Sequence, residues 1–125
     1  MLFRSGDTLQ ALRDVSVSLN NVGGVERDLG NLEAARSAYR KSLELGRRLR
    51  EAVGETPQAL RDVSVSLNNV GGVEGDLGNL EAARSAYRES LEIARRLRHA
   101  FPDQSRYQQD LARLEARSKA IMEQP

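Results

Sequence analysis

Cysteine is absent from the chain, which excludes a disulfide framework and a thiolate metal site. Long hydrophobic runs are absent too: no apolar stretch approaches the ~20 residues that a membrane-spanning helix needs. Charge of one sign is missing. Nineteen Lys and Arg stand against 18 Asp and Glu, and a net charge of +1 supplies no whole-chain attraction to nucleic acid or to an anionic membrane. Aromatic residues make up 4%, without the basic–aromatic interleaving on which bases stack. His99 is the single histidine and has neither a cysteine nor a second histidine as partner, so metal ligation and general-base work are not expected of it. There is no phosphate-binding loop, dinucleotide fingerprint or nucleophile motif. The opening residues, with Arg4 and Asp7, carry charge too early for a signal peptide. These absences lead to the expectation of a soluble cytoplasmic protein that uses no cofactor or metal, binds neither nucleic acid nor membrane, and is not an enzyme.

What the chain does contain is a duplication. Residues 10–52 align with residues 58–100 at a spacing of 48, and five differences among 43 positions leave 38 identities. The differences are Arg27/Gly75, Lys41/Glu89, Leu45/Ile93, Gly46/Ala94 and Glu51/His99. A single irregular core has no use for the same residues twice, whereas a stack of equivalent units does.

Within each unit the spacing is helical. Leu12, Val15, Leu19, Val22 and Leu29 form one apolar stripe, repeated as Leu60, Val63, Leu67, Val70 and Leu77. A second stripe runs through Leu32, Ala35, Tyr39, Leu43 and Leu49, with its copy at Leu80, Ala83, Tyr87, Leu91 and Leu97. Gly30-Asn31 and Gly78-Asn79 divide each unit in two, and Thr56-Pro57 is a capping residue followed by a first-turn proline. With Asp7 or Thr8 as the first cap, helices are expected near 8–28, 32–52, 57–76, 80–100 and 104–122. Short connections make neighbours antiparallel. The last helix abandons the repeat after Asp110 and Leu111. Its seam of Tyr107, Leu111, Leu114 and Ile121 is set among Gln, Arg, Glu and Lys, as suits the closing element of a solenoid. The expected architecture is all-α: one domain over 1–125, with a first repeat at about 8–54, a second at about 56–102 and a capping helix at about 104–122.

Each unit resembles a tetratricopeptide repeat, whose pattern runs large–x2–Leu-Gly and then Ala–x3–aromatic. Leu19, Val22-Gly23, Ala35 and Tyr39 fill those places, as do Leu67, Val70-Gly71, Ala83 and Tyr87. The Leu-Asn-Asn-Val and Ser-Leu-Glu-Leu/Ile segments are most similar to the longer repeats of kinesin light chain and related bacterial arrays. The 48-residue period exceeds the ~34 residues usual for the family. Glu26 and Glu74 stand where the family prefers Tyr, and Arg47 and Arg95 where it prefers Pro.

The resemblance implies an α-solenoid that binds an extended peptide or partner segment on a concave face lined by the first helices. It places the family's peptide-binding Asn on Asn21 and Asn69, whose amides can donate to and accept from a peptide backbone. Asn20 and Asn68 lie beside them, and Val17, Val65 and Arg27 are expected on the same surface. Gly23 and Gly71 are expected to let the partner helix approach across Ala35 and Ala83, and Gly24 and Gly72 to leave room for a ligand backbone. Glu26 and Glu74 fall on the apolar stripe, where an ion pair with an arginine of a neighbouring helix is expected. Arg47, Arg48 and Arg50, with Arg95, Arg96 and Arg98, lie in last turns, where cations favour the helix dipole. A competing reading is a structural self-assembly unit. Only Leu2 and Phe3 are available to cover the outer face of the first hairpin, and near-identical units can substitute for one another between chains. On that reading the chain forms a homodimer, by end stacking or hairpin exchange, or is part of a longer repeat array, with no separate peptide ligand.

Overall fold

A computed structural model describes residues 5–124 and shows five α-helices and no strand among them. They are α1 (Ser5–Asp28), α2 (Leu32–Val53), α3 (Pro57–Asp76), α4 (Leu80–Ala100) and α5 (Ser105–Met122). Helix α1 starts earlier than its capping signal implied, so Asp7 and Thr8 lie inside the helix and not at its cap. Leu2 and Phe3 lie outside the described residues.

The turns follow from local chemistry. Gly30 and Gly78 both have φ of 82°, the left-handed conformation that costs glycine nothing. At each, the following Asn N–H donates back to the carbonyl of Glu26 (2.8 Å) or Glu74 (2.9 Å), and the Gly N–H to that of Arg27 or Gly75. This pair of bonds satisfies two carbonyls that the helix end would otherwise orphan. At α3, Thr56 Oγ1 accepts from the Ala59 N–H at 3.1 Å and Pro57 fills the first turn.

Inside each hairpin a reciprocal serine pair joins the two helices. Ser42 Oγ donates to the Ser16 carbonyl (2.9 Å), and the two hydroxyls lie 2.8 Å apart. Ser90 and Ser64 repeat this at 2.8 and 3.0 Å. The glycines make a second close approach, in which the nearest groups of the partner helices are tyrosines, one turn beyond Ala35 and Ala83. A methyl on Gly23 would lie 2.5 Å from Tyr39 Cε1, and one on Gly71 would lie 3.0 Å from the Tyr87 ring. The tyrosine faces therefore lie flat on the glycine backbone.

Between units, α2 packs on α3. Val63 and Val73 are fully buried there, with Leu60, Leu67 and Val70 beside them in the main core. Glu74 is also fully buried. Its Oε2 accepts from Arg40 Nη2 at 3.0 Å, while Arg36 Nε lies 2.7 Å from Oε1 at an angle that is not that of a hydrogen bond. Ser42 Oγ reaches Ser66 Oγ at 3.2 Å across the same interface. The apolar stripe of α1 behaves differently from its copy: Val15, Val22 and Leu29 are exposed, because no second helix precedes α1 among the described residues. Glu26 likewise departs from expectation. Among the described residues it has no arginine partner and accepts instead from Asn31 Nδ2 at 3.1 Å.

α5 closes the other end against α4 with Tyr107, Leu111 and Leu114 buried, and Ile121 packed beside them. First helices adjoin one another, α1 with α3 and α3 with α5, while the backbones of α2 and α4 stay apart and long side chains such as Arg47 and Glu89 span between them. The stack therefore bends with its first helices on the inner side.

Two predictions test this packing. Glu74→Gln removes the charge that two arginines enclose and should lower unfolding stability by about 2 kcal/mol in a urea melt, whereas Glu26→Gln should change it by less than about 0.5 kcal/mol. Gly46 faces Val63, where a methyl would sit at an ordinary 3.7 Å, and the second unit already carries Ala94. Gly46→Ala should stabilise by up to about 1 kcal/mol, and Gly23→Ala should destabilise by about 1–3 kcal/mol.

Candidate functional site

The inner side of the stack is formed by the exposed faces of α1, α3 and α5. On it lie two clefts of about 250 Å³ each. The first, between α1 and α3, is lined by Val17, Asn20, Asn21 and Val65, with Arg13, Asp62 and Arg61 along its edge. The second, between α3 and α5, is lined by Val65, Asn68 and Asn69 from α3, Arg113 and Arg117 from α5, and Tyr107 and Leu114 at its base. Because 48 residues separate equivalent positions, Val17-x2-Asn20-Asn21 and Val65-x2-Asn68-Asn69 present the same groups at successive steps. Val65 and Arg61 border both clefts.

Charge pairs hold the cleft walls in register. Arg13 Nε donates to Asp62 Oδ2 at 3.1 Å from α1 to α3, and Arg61 Nε donates to Asp110 Oδ2 at 2.7 Å from α3 to α5. This ladder escaped the sequence reading. Its signal was Asp110 aligning with Asp62, but the cations opposite lie one repeat earlier and pair only once the units stack. Arg113 and Arg117 form no ion pair among the described residues, which leaves the second cleft positive.

The four asparagines are brought together with Val17 and Val65 as a surface. Asn21 is exposed, and Asn20, Asn68 and Asn69 are half-buried. Asn20 Oδ1 is shielded from solvent and has no hydrogen-bond donor. Arg27 and the two glycines are placed otherwise. Arg27 Nε donates to Asp76 Oδ2 at 2.6 Å, and that bond holds the guanidinium above its ordinary pKa. Its side chain lies over Gly72, where a methyl would meet Nη1 at 2.7 Å. Gly72 is thus buried beneath Arg27 and offers no room to a ligand backbone, a correction to the expectation from sequence. Gly24 neighbours the Tyr39 hydroxyl, with 3.7 Å to a methyl built there, and neither glycine lines a cleft. In the second unit, Gly75 replaces Arg27 because Ile121 of α5 occupies that place, 3.4 Å from a methyl on Gly75. Arg27 is therefore a bridge between units.

Four arginines of the clusters at the ends of α2 and α4 are engaged in ion pairs. Arg47 pairs with Glu89 (3.1 Å), Arg48 with Glu44 (2.9 Å), and Glu55 receives both Arg50 (2.6 Å) and Arg96 (2.7 Å). Glu55, on the α2–α3 connection, is pushed down to about 2 by the hydrogen bonds of Arg96 and then Arg50.

A stack of helical hairpins with an amide-lined inner side defines the class of protein: a repeat solenoid that presents a surface. No group of three or more His, Cys, Asp or Glu able to hold a metal occurs among the described residues, and no described helix is long and apolar enough to cross a membrane. A family model for the tetratricopeptide repeat matches residues 15–52 and 63–98, more than half of the chain, and the protein belongs to that family. Similarity to kinesin light chain-type arrays is consistent with its long repeat. No curated protein matches the chain. The tetratricopeptide repeat is a non-catalytic module whose members mediate protein–protein interactions.

Acid should act on this structure partly through Glu55. Its folded pKa is depressed, so its stabilisation is present above the ordinary carboxylate value of 4.5 and is lost as pH falls toward about 2. The melting temperature of Glu55→Gln should lie below that of the unsubstituted chain at pH 6, and the gap should close between pH 4.5 and pH 2. Because the group is exposed, high salt should narrow the gap at every pH.

Proposed function

We propose that the protein is a cytoplasmic binding module that holds an extended peptide or partner segment along the inner clefts, with no catalytic role, no cofactor, and neither nucleic acid nor membrane as ligand. The observation that carries this reading is the repetition of the same amide pair, flanked by the same valine, in two adjoining clefts. An extended chain advances about 3.3 Å per residue and exposes a carbonyl and an N–H at each one. Asn21 and Asn69 each offer a donor and an acceptor to that backbone, and the valines contact its side chains whatever their identity. Asn20 contributes differently. Its unsatisfied oxygen costs roughly 1–3 kcal/mol where it is, and rotating the side chain into the cleft recovers that cost when a partner N–H meets it. Arg113 and Arg117 favour a partner that carries carboxylates toward the α5 end.

The alternative reading, a self-assembly unit, is favoured by a separate observation, the uncovered face of α1, and uses none of the four asparagines. The two readings therefore come apart by mutation. Peptides selected from a displayed random library on the unsubstituted chain should bind Asn21→Ala/Asn69→Ala roughly 5- to 100-fold more weakly, as expected for the loss of two to three hydrogen bonds. Thermal stability and sedimentation should not change. Selected peptides that bind both proteins equally would remove the asparagines from the site.

A further inference from the structure

The outer face of α1 is a copy of a buried interface, and among the described residues it is left exposed. Residues 10–28 of α1 and 58–76 of α3 differ only at Arg27/Gly75, so the two helices carry the same outer face. On α3 that face lies beneath α2, with Val63, Val70 and Val73 0%, 7% and 0% exposed. Their counterparts Val15, Val22 and Val25 on α1 are 50%, 51% and 59% exposed. The buried carboxylate has a counterpart too. Glu26 stands where Glu74 does, meets no cation among the described residues, and accepts from Asn31 of its own hairpin.

The α2–α3 interface specifies what fits such a face. Arg36 and Arg40, four residues apart and so on one side of α2, enclose Glu74. Two residues beyond Arg40, Ser42 reaches Ser66 at 3.2 Å. Four residues beyond Ser42, Gly46 faces Val63, where a methyl would lie at 3.7 Å, so the valine packs on a position that admits only a small residue. Transferred to α1, these contacts ask for Arg-x3-Arg-x-Ser-x3-Gly/Ala, with the arginines at Glu26, the serine at Ser18 and the small residue at Val15. A purely apolar partner would cover the valines but bury Glu26 without a cation, which is strongly unfavourable. Pairing two α1 faces fails in the same way. The face of Val15, Ser18, Val22, Val25, Glu26 and Leu29 brings carboxylates together and supplies no cation.

We propose that the outer face of α1 is a second binding site, which takes one amphipathic helix of a partner protein carrying the pattern Arg-x3-Arg-x-Ser-x3-Gly/Ala. That helix lies antiparallel to α1, as α2 lies on α3. Its guanidinium groups enclose Glu26, its serine meets Ser18, and Val15, Val22 and Val25 become core. The valines supply affinity and Glu26 supplies register and selection. The inner clefts take no part, so this site and the asparagines are independent of each other.

The probe is a synthetic peptide of residues 32–53, the α2 sequence itself, with Ser37→Glu joined to Lys41 by a lactam. Both positions are exposed on α2, and the staple holds a helix that a free 22-residue peptide would largely lose. With valine methyls labelled in the full chain, adding the peptide to about 1 mM should shift Val15, Val22 and Val25 and leave Val17 and Val65 in place. Arg36→Glu/Arg40→Glu in the peptide should weaken binding at least about tenfold. Glu26→Arg in the protein should weaken the original peptide likewise and restore binding of the charge-reversed one. The reversed peptide tests the charge on the unsubstituted chain, so the result does not depend on how a protein variant folds. Asn21→Ala/Asn69→Ala should bind the stapled peptide as tightly as the unsubstituted chain does, which separates failure of this site from failure of the clefts. Resonances of Val15, Val22 and Val25 that stay fixed overturn the proposal, as do shifts confined to Val17 and Val65. Binding indifferent to charge reversal also overturns it, and points to apolar contact alone.

Discussion

The fold depends on what happens to one carboxylate. Glu74 is fully enclosed, and an ionised carboxylate moved out of water costs several kcal/mol unless cations and hydrogen bonds replace its hydration. Arg36 and Arg40 do so from α2, four residues apart and thus on one face of that helix. Both arginines keep part of their surface in solvent, with side-chain exposures of 31% and 51%, so their own desolvation is incomplete. The arrangement does little for net stability in comparison with an apolar substitute, but it fixes register. Sliding α3 along α2 by one turn leaves Glu74 buried without a partner, while the valines around it would tolerate the slip. The valines supply most of the attraction, and the carboxylate selects one of the stackings that attraction allows.

With that register fixed, the inner side follows. A translation of one unit carries Val17, Asn20 and Asn21 onto Val65, Asn68 and Asn69, and the Arg13–Asp62 and Arg61–Asp110 pairs span successive steps at the same level. The amides are not needed to hold the stack together. Their hydrogen bonds are not among those joining helices, and the joints are made by buried serines and by tyrosine rings on glycine backbone. Groups that repeat on an accessible face without serving the packing are the ones free to serve a partner, which is why the binding reading rests on the asparagines and not on the arginine clusters, four of whose members are already paired.

Much of this was legible before any coordinates. Periodicity located all five helices because each apolar stripe is long and each break is marked by glycine or proline. The seam of α5 could be read because only one face of that helix is apolar. What could not be read was which identical residue would be buried. Val15 and Val63 have the same neighbours in sequence, yet one is half exposed and the other fully buried, since burial is set by the hairpin that precedes and not by the residue's own segment. The same reasoning explains Glu26 and Glu74. Which side chain of the second helix would lie nearest Gly23 could not be read either: it is Tyr39, one turn beyond Ala35. Gly72 was misassigned because Arg27 arrives from another unit.

The five differences between copies show which constraints the ends of a stack relax. Arg27 bridges to Asp76 on the following first helix, but its counterpart Gly75 would have to bridge to α5, where Ile121 already lies within contact distance. A long cation there would displace the apolar seam of the closing helix, so the charge is removed and the space given to packing. At Lys41/Glu89 the neighbour is again visible: Glu89 accepts from Arg47 of the first unit at 3.1 Å. Substitution in one unit is thus decided by the neighbour on the next.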